Sequence, residues 1–294
     1  MRQIYRSGRY MGRFTTFMLR SMLPAYRLAR GRREKLSIVR LAAKFVAKRT
    51  FVVLTRLVYN TVLRDDVRIS VRGTTYFVGI DAAEVSVFGE IYGDRDYDRA
   101  PGFIARDGWV VVDVGANAGV FAVQQAQRGA RVFAFEPNPD CYRRLSKTLA
   151  ANGLNDRVRL FDVALGTQPG HATLSVLRGW TSNGTMVPTG DATAGSAVDI
   201  AVDSLDRIAL RLGIARIDLL KVDTEGAEVE VLRGAGQTLA LVERIVLEYH
   251  SPDMLAQARA LLGAHDFVEA LQVEMDARAG TGILYAQRRA GAPS

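Results

Sequence analysis

The sequence has one cysteine, Cys141, three histidines, eight prolines, and no apolar run long enough to cross a bilayer. A single thiol can form neither an intrachain disulfide nor a multi-cysteine zinc site, so nothing requires an oxidising compartment and a reducing, cytoplasmic setting fits. Eight prolines and 27 glycines in 294 residues exclude collagen and low-complexity disorder. In the two most apolar stretches, residues 14–29 and 36–63, Arg or Lys interrupts every four to eight positions, whereas a spanning helix needs about 18 apolar residues in succession. No apolar core followed by a small-residue cleavage site marks a secretory signal.

Acid is scarce in one region only. Residues 1–64 carry 16 Lys and Arg against a single acid, Glu34, for a net +15, while the remaining 230 residues carry 23 basic and 30 acidic side chains, for a net −7. The chain therefore reads as a basic N-terminal extension joined to a mildly acidic body. Arg40, Lys44 and Lys48 recur at helical spacing beside Ile38, Leu41, Ala42, Phe45 and Val46, which predicts an amphipathic basic helix. Three readings of the extension stay open: a peripheral membrane contact attracted to anionic lipid, an Arg-rich transit peptide, or a helical cap with a solvated basic face. The basic residues lack interleaved aromatics and any RNA-binding module, which argues against nucleic acid as a partner.

Beyond residue 65 the pattern changes. VRISV and TYFVGI flank Arg72-Gly73-Thr74 and predict a β-hairpin. Residues 84–105 read as helix and then loop. Strands are expected at 109–114, 131–135, 158–163, 217–223 and 244–249, with helices at 119–128, 138–152, 204–212, 226–240 and 253–263. Residues 170–202 read as irregular or strand-like, and 267–275 with 281–288 as a closing antiparallel hairpin. Such alternation implies an α/β fold, a mainly parallel sheet with helices on both faces.

The segment Asp113-Val-Gly115-Ala116-Asn117-Ala-Gly119 follows an apolar strand and opens a helix. Glycines there allow a sharp turn and close approach to a ligand, and the helix start offers free amide groups. Glu136, seventeen residues beyond Gly119 at the end of the next strand, is placed to accept hydrogen bonds from both hydroxyls of a ribose. Together they describe a site for an adenosine-containing ligand, without the G-x-G-x-x-G spacing of a pyrophosphate site.

At this point the sequence resembles the FkbM-type S-adenosylmethionine-dependent methyltransferases. The resemblance rests on DVGANAG (113–119), FEPNP (135–139), DVALG (162–166), IDLLKVDTEGAEVEVLRGA (217–235) and IVLEYH (245–250), and runs over roughly residues 67–290. KVDTEGAE is its distinctive part. The resemblance implies a Rossmann-like class I methyltransferase fold with a mostly parallel seven-stranded sheet and an antiparallel C-terminal hairpin. It also implies S-adenosyl-L-methionine as cofactor. Asp113, Gly115, Ala116, Asn117 and Gly119 would cradle the methionine part, Glu136, Pro137 and Asn138 the ribose, and Asp162 and Val163 the adenine.

Lys221, Asp223, Glu225 and Glu228 fall at the carboxyl end of one strand and the start of the following helix, with Glu248 and His250 ending the neighbouring strand. Ligands bind on that side of an open α/β sheet. Methyl transfer to a hydroxyl needs in-line geometry and a base, for which His250 and Asp223 are the candidates, with Glu225 beside them. Asp223 is also expected among the cofactor contacts. Helix capping accounts for Asp223 or Thr224, and for Glu225 and Glu228 better than a base role does. A third reading is an oxygen-rich Mg or Mn site of Asp223, Glu225, Glu248 and His250, although the spacing has no specific ligand motif. Tyr92, Asp94 and Tyr97 read as packing in the covering segment.

The expected organisation is an extension, 1–64, and a methyltransferase domain, 65–294, in which 65–108 form an entry hairpin and cover and 109–294 the core. The expected reaction is O-methylation of a sugar, glycan or natural product. The rivals are an RNA methyltransferase using the basic segment and a non-catalytic S-adenosylmethionine-binding protein.

Overall fold

The computed structural model describes residues 26–27, 31–32, 34–39, 66–79, 87–177, 180–185 and 195–289. The expected basic helix around Arg40, Lys44 and Lys48 lies outside them.

The first described strands form a hairpin, β1 (Val67–Val71) and β2 (Thr74–Val78), paired antiparallel across the two-residue turn Arg72-Gly73. The central layer then begins with β3 (Val110–Val114), α1 (Val120–Gln127), β4 (Arg131–Phe135), α2 (Pro139–Ala151) and β5 (Val158–Phe161). Next come β6 (Ala164–Leu165), β7 (Gly170–Leu177), β8 (Trp180–Thr185), β9 (Gly195–Asp203) and α3 (Leu205–Leu212). The chain returns with β10 (Leu219–Val222), α4 (Glu228–Arg233), β11 (Arg244–Tyr249), α5 (Pro252–Ala264), β12 (Phe267–Asp276) and β13 (Thr281–Arg288).

The main sheet has seven strands in the order β12-β13-β11-β10-β3-β4-β5. The five strands from β11 to β5 run parallel, and β13 and β12 close the other side antiparallel. Its strands are apolar without alternation because helices cover both faces. Val111, Val132, Ala134 and Leu219 point into one buried cluster, while Val112, Phe133, Phe135 and Leu220 point into the other. This is the Rossmann-like methyltransferase architecture, and it aligns the carboxyl ends of β3, β4, β10 and β11 along one crevice.

Of the stretch 170–202, the described residues are strands, one of the two readings open for it, and they build a second sheet, β6-β9-β7-β8, in which β7 and β9 pair antiparallel over eight register positions. The side chains of Trp180 to Asn183 lie outside the described residues. The helix expected over 226–240 is broken. It stops at Gly234, where a Cβ would stand 1.9 Å from the Gly166 carbonyl oxygen, so the close approach of that loop requires glycine. A 3₁₀ turn resumes at Thr238, with Asp206 accepting from the Gln237 and Thr238 amides.

The hairpin is fastened to α2 by polar side chains that satisfy its free edge. Asn152 accepts from the Thr75 amide at 3.0 Å and donates to the Thr75 carbonyl at 2.6 Å, while Thr148 accepts from the Phe77 amide at 3.0 Å. Glu34, the lone acid of the extension, accepts from the Gly73 amide at 2.7 Å, and Ile38 is buried in the core beside it.

Asp66 meets Arg143, Arg144 at 3.1 Å and Lys147 at 2.6 Å. Burial acts to raise the Asp66 carboxyl, but these three cations outweigh it and hold the carboxyl below its ordinary value. Asp66→Asn is expected to destabilise the protein by about 2 kcal/mol, because it strips buried Arg144 of a countercharge. Urea unfolding measures the loss. A depressed carboxylate stabilises the folded state above its unfolded pKa, so this contribution in the native protein disappears as pH falls below about 4.

Candidate active site

The crevice holds a cleft lined by Val114, Gly115, Asn117, Phe135, Glu136, Pro137, Asn138, Ala164, Leu174, Asp223, Thr224 and Glu225. It comprises about 630 Å³, including the part open to solvent.

Glu136 ties the first wall together. Its carboxylate accepts from the Asn117 amide at 2.7 Å and from the Asn138 amide at 2.8 Å, bridging the turns after β3 and β4. Each oxygen keeps a further lone pair for a ligand hydroxyl. Burial raises the carboxyl to about 7 despite both amides. Gly115, at φ +77°, passes so close to the next turn that a Cβ would lie 1.7 Å from the Asp223 carbonyl oxygen. The glycine is thus required by protein packing as well as by any ligand. Asn117 is left-handed, and its side chain accepts from the Ala118 amide at 2.7 Å. Ala116 and Gly119 are turned inward, Gly119 against Leu145.

Asp113 is wholly buried and sits behind the cleft, 3.2 Å from the Lys221 ammonium. β5 ends at Phe161, leaving Asp162 exposed and Val163 half-buried, and the cleft wall at that end is formed by Ala164 and Leu174. Asp162 and Val163, expected beside the adenine, thus stand directly before Ala164 at that end of the cleft.

The second wall follows β10. Buried Lys221 donates to the Gly115 carbonyl at 2.8 Å and reaches Asp223 at 3.3 Å. Burial disfavours its charge, but Asp113 and Asp223 outweigh burial and hold it above its ordinary value. Tyr97, from the covering segment, hydrogen-bonds Asp223 at 3.0 Å and Glu248 at 2.9 Å. One phenolic proton serves two carboxyl groups, so both contacts are satisfied together only when one carboxyl is protonated. Burial and the Asp223 charge push the Glu248 carboxyl well above its ordinary value. Tyr97 is packed in the core against Phe121, as expected of it, and its hydroxyl adds the link between the two acids.

Helix α4 is not capped by Asp223 or Thr224. Its N-cap is Ala227, and the buried Glu228 carboxylate folds back to accept from the Thr224 amide at 2.9 Å and the Gly226 amide at 3.1 Å. Asp223 and Glu225 are thereby left on the cleft, Glu225 in the left-handed region at φ +56°.

His250 is surrounded by acids. Nδ1 lies 3.2 Å from Glu228, and Nε2 lies 3.4 Å from Glu225 and 3.8 Å from Glu248. Burial favours the neutral ring, but Glu228, Asp223 and Glu225 prevail and raise it to about 9. At neutral pH His250 is an imidazolium with both nitrogens facing carboxyl groups. Glu225 is raised to about 7 by burial and the Asp223 charge. Asp223, Glu225 and His250 also present ligand atoms within 4.8 Å of one another.

The Methyltransferase FkbM domain model matches residues 113–273. Methyltransferase sdnD of Sordaria araneosa is 33% identical over 208 residues, covering 60% of this chain and 79% of that protein. The 31-O-demethyl-FK506 methyltransferase FkbM of Streptomyces tacrolimicus is 30% identical over 249 residues, covering 72% and 93%. The 2-O-methyltransferase NoeI of Sinorhizobium fredii is 27% identical over 160 residues, covering 49% and 65%. With the family model spanning more than half of the chain and the crevice carrying its motifs, the chain belongs to the FkbM methyltransferase family.

Proposed function

We propose that this methyltransferase moves a methyl group from S-adenosyl-L-methionine to a hydroxyl of a sugar, glycan or natural product. The observation that carries the reading is one cleft running from Glu136 to Asp223 and Glu225. The residues fit the cofactor: Glu136 retains lone pairs for two ribose hydroxyls, and Asn138 and Pro137 flank it. Asp113, Gly115 and Asn117 shape the turn that would face the methionine part. Two of the relatives have names that specify oxygen as the methylated atom.

The cofactor supplies an electrophilic methyl group, and the chain's part is to orient the acceptor and remove its proton. His250 is charged and enclosed by acids, so it is poorly suited to act as base in this setting. Glu225 lines the cleft and titrates near neutrality, where a general base works best. It takes the hydroxyl proton as the acceptor oxygen attacks, while Asp223 holds the hydroxyl.

Turnover is expected to rise with pH and level off above about 7, as Glu225 loses its proton. Glu225→Gln should lower kcat by about 100-fold and remove that limb. His250→Ala should shift the limb to higher pH and leave turnover measurable, because the imidazolium favours the Glu225 carboxylate. Rate profiles on an accepted hydroxyl distinguish the two roles. Incubation with methyl-labelled S-adenosylmethionine and a panel of hydroxylated glycans and metabolites tests the reaction itself. Label on an acceptor oxygen supports it, and label only on nitrogen or carbon, or none, overturns it.

RNA as acceptor fits poorly with Asp223 and Glu225 on the cleft, whose carboxylates repel phosphates. The +15 charge of residues 1–64 instead supports contact with an anionic membrane surface. Among the described residues no helix is long and apolar enough to cross a membrane.

A further inference from the structure

We infer that Asp223 and Glu225 on the cleft, coupled through Tyr97 and His250 to Glu248, make this cleft prefer a ligand with a positive charge beside Asp223 over one that is neutral there. The inference rests on the proposed cofactor, and it concerns which form of that ligand the chain holds.

Five carboxyl groups, those of Asp113, Asp223, Glu225, Glu228 and Glu248, share two cations, Lys221 and His250. Both cations are already committed. Lys221 lies behind the wall with its ammonium on the Gly115 carbonyl, and His250 faces Glu228 on one side and Glu225 on the other. Asp113, wholly buried, has no hydrogen-bond donor on either oxygen, so it adds negative charge behind the wall with only the Lys221 ion pair to offset it. Tyr97 brings one proton to two carboxyl groups. The strain appears as Glu225 and Glu248 retaining protons above the usual carboxylate range, each through burial and the neighbouring Asp223 charge.

A positive charge arriving at the open side, where Asp223 and Glu225 line the cleft, relieves this repulsion, whereas a neutral group leaves it in place. With a ribose on Glu136, the sulfur carried on its C5′ would lie on the Asp223 side of the cleft. A sulfonium or ammonium there is favoured and a thioether is not, so the wall would retain the charged cofactor and let the spent one go.

Calorimetric titration of the full chain with two probes tests this. Sinefungin carries an ammonium in place of the methylated sulfonium, and S-adenosylhomocysteine carries a neutral thioether. Sinefungin is expected to bind about tenfold or more tighter. The ratio should fall to within about threefold in Glu225→Gln and in Glu248→Gln, while Glu136→Gln weakens both probes alike. Equal affinities in the native chain overturn the inference, as does an unchanged ratio in both wall variants. Should one variant fail to fold, the native ratio and the other variant still decide. Binding of neither probe overturns the proposed cofactor itself, a result distinct from equal binding.

Discussion

Gly115→Ala is expected to lower the melting temperature sharply and to abolish nucleoside binding. The residue sits at φ +77°, and an added Cβ would fall 1.7 Å from the Asp223 carbonyl oxygen, a backbone atom that has no side-chain freedom to yield. Left-handed alanine alone costs about 1 kcal/mol or more, and the clash forces the β3 and β10 turns apart. The total is expected to be about 3 kcal/mol, a fall of about 6–10 °C for a domain of this size. Because the same displacement moves Asn117 on one wall and Asp223 on the other, S-adenosylhomocysteine affinity should be lost even in the fraction that folds. Calorimetric melting and ligand titration of one sample measure both effects.

Glu136→Ala is expected to weaken nucleoside binding by about 100-fold, since two hydrogen bonds to a charged acceptor disappear and the Asn117 and Asn138 amides lose their partner. Unchanged affinity would remove Glu136 from the ribose site. The pH dependence is a second signature. The carboxyl is raised to about 7, chiefly by burial, and only the carboxylate accepts from two hydroxyls at once. Affinity in the native protein should therefore be level above about 7 and fall by up to about tenfold per pH unit below it. Glu136→Gln should bind more weakly and show no such slope.

The parts of this site carried by local pattern were readable in the amino-acid sequence. Continuous apolar strands, the glycine turn after β3 and Glu136 at the end of β4 are set by neighbours within a few residues, and they stand where that pattern implies. The rest depends on distant chain segments. Tyr97 meets Asp223 and Glu248 across 126 and 151 residues, a separation at which no spacing rule links a tyrosine of the cover to two strand ends. His250 reads as a base in isolation, and its imidazolium state arises from Glu228, Asp223 and Glu225, gathered by the turn after β10 and the start of α4. The break at Gly234 reflects a backbone contact with Gly166 that helical periodicity does not contain.

The central claim is that the crevice between Glu136 and Asp223 holds the adenosine-containing methyl donor of a methyltransferase. Parallel calorimetric titration of the full chain with S-adenosylhomocysteine, NAD and NADP tests it most directly. The account predicts selective binding of S-adenosylhomocysteine, strongest above pH 7 and weakened in Glu136→Ala. Failure to bind it, or preference for NAD, would contradict the account and every residue role drawn from it.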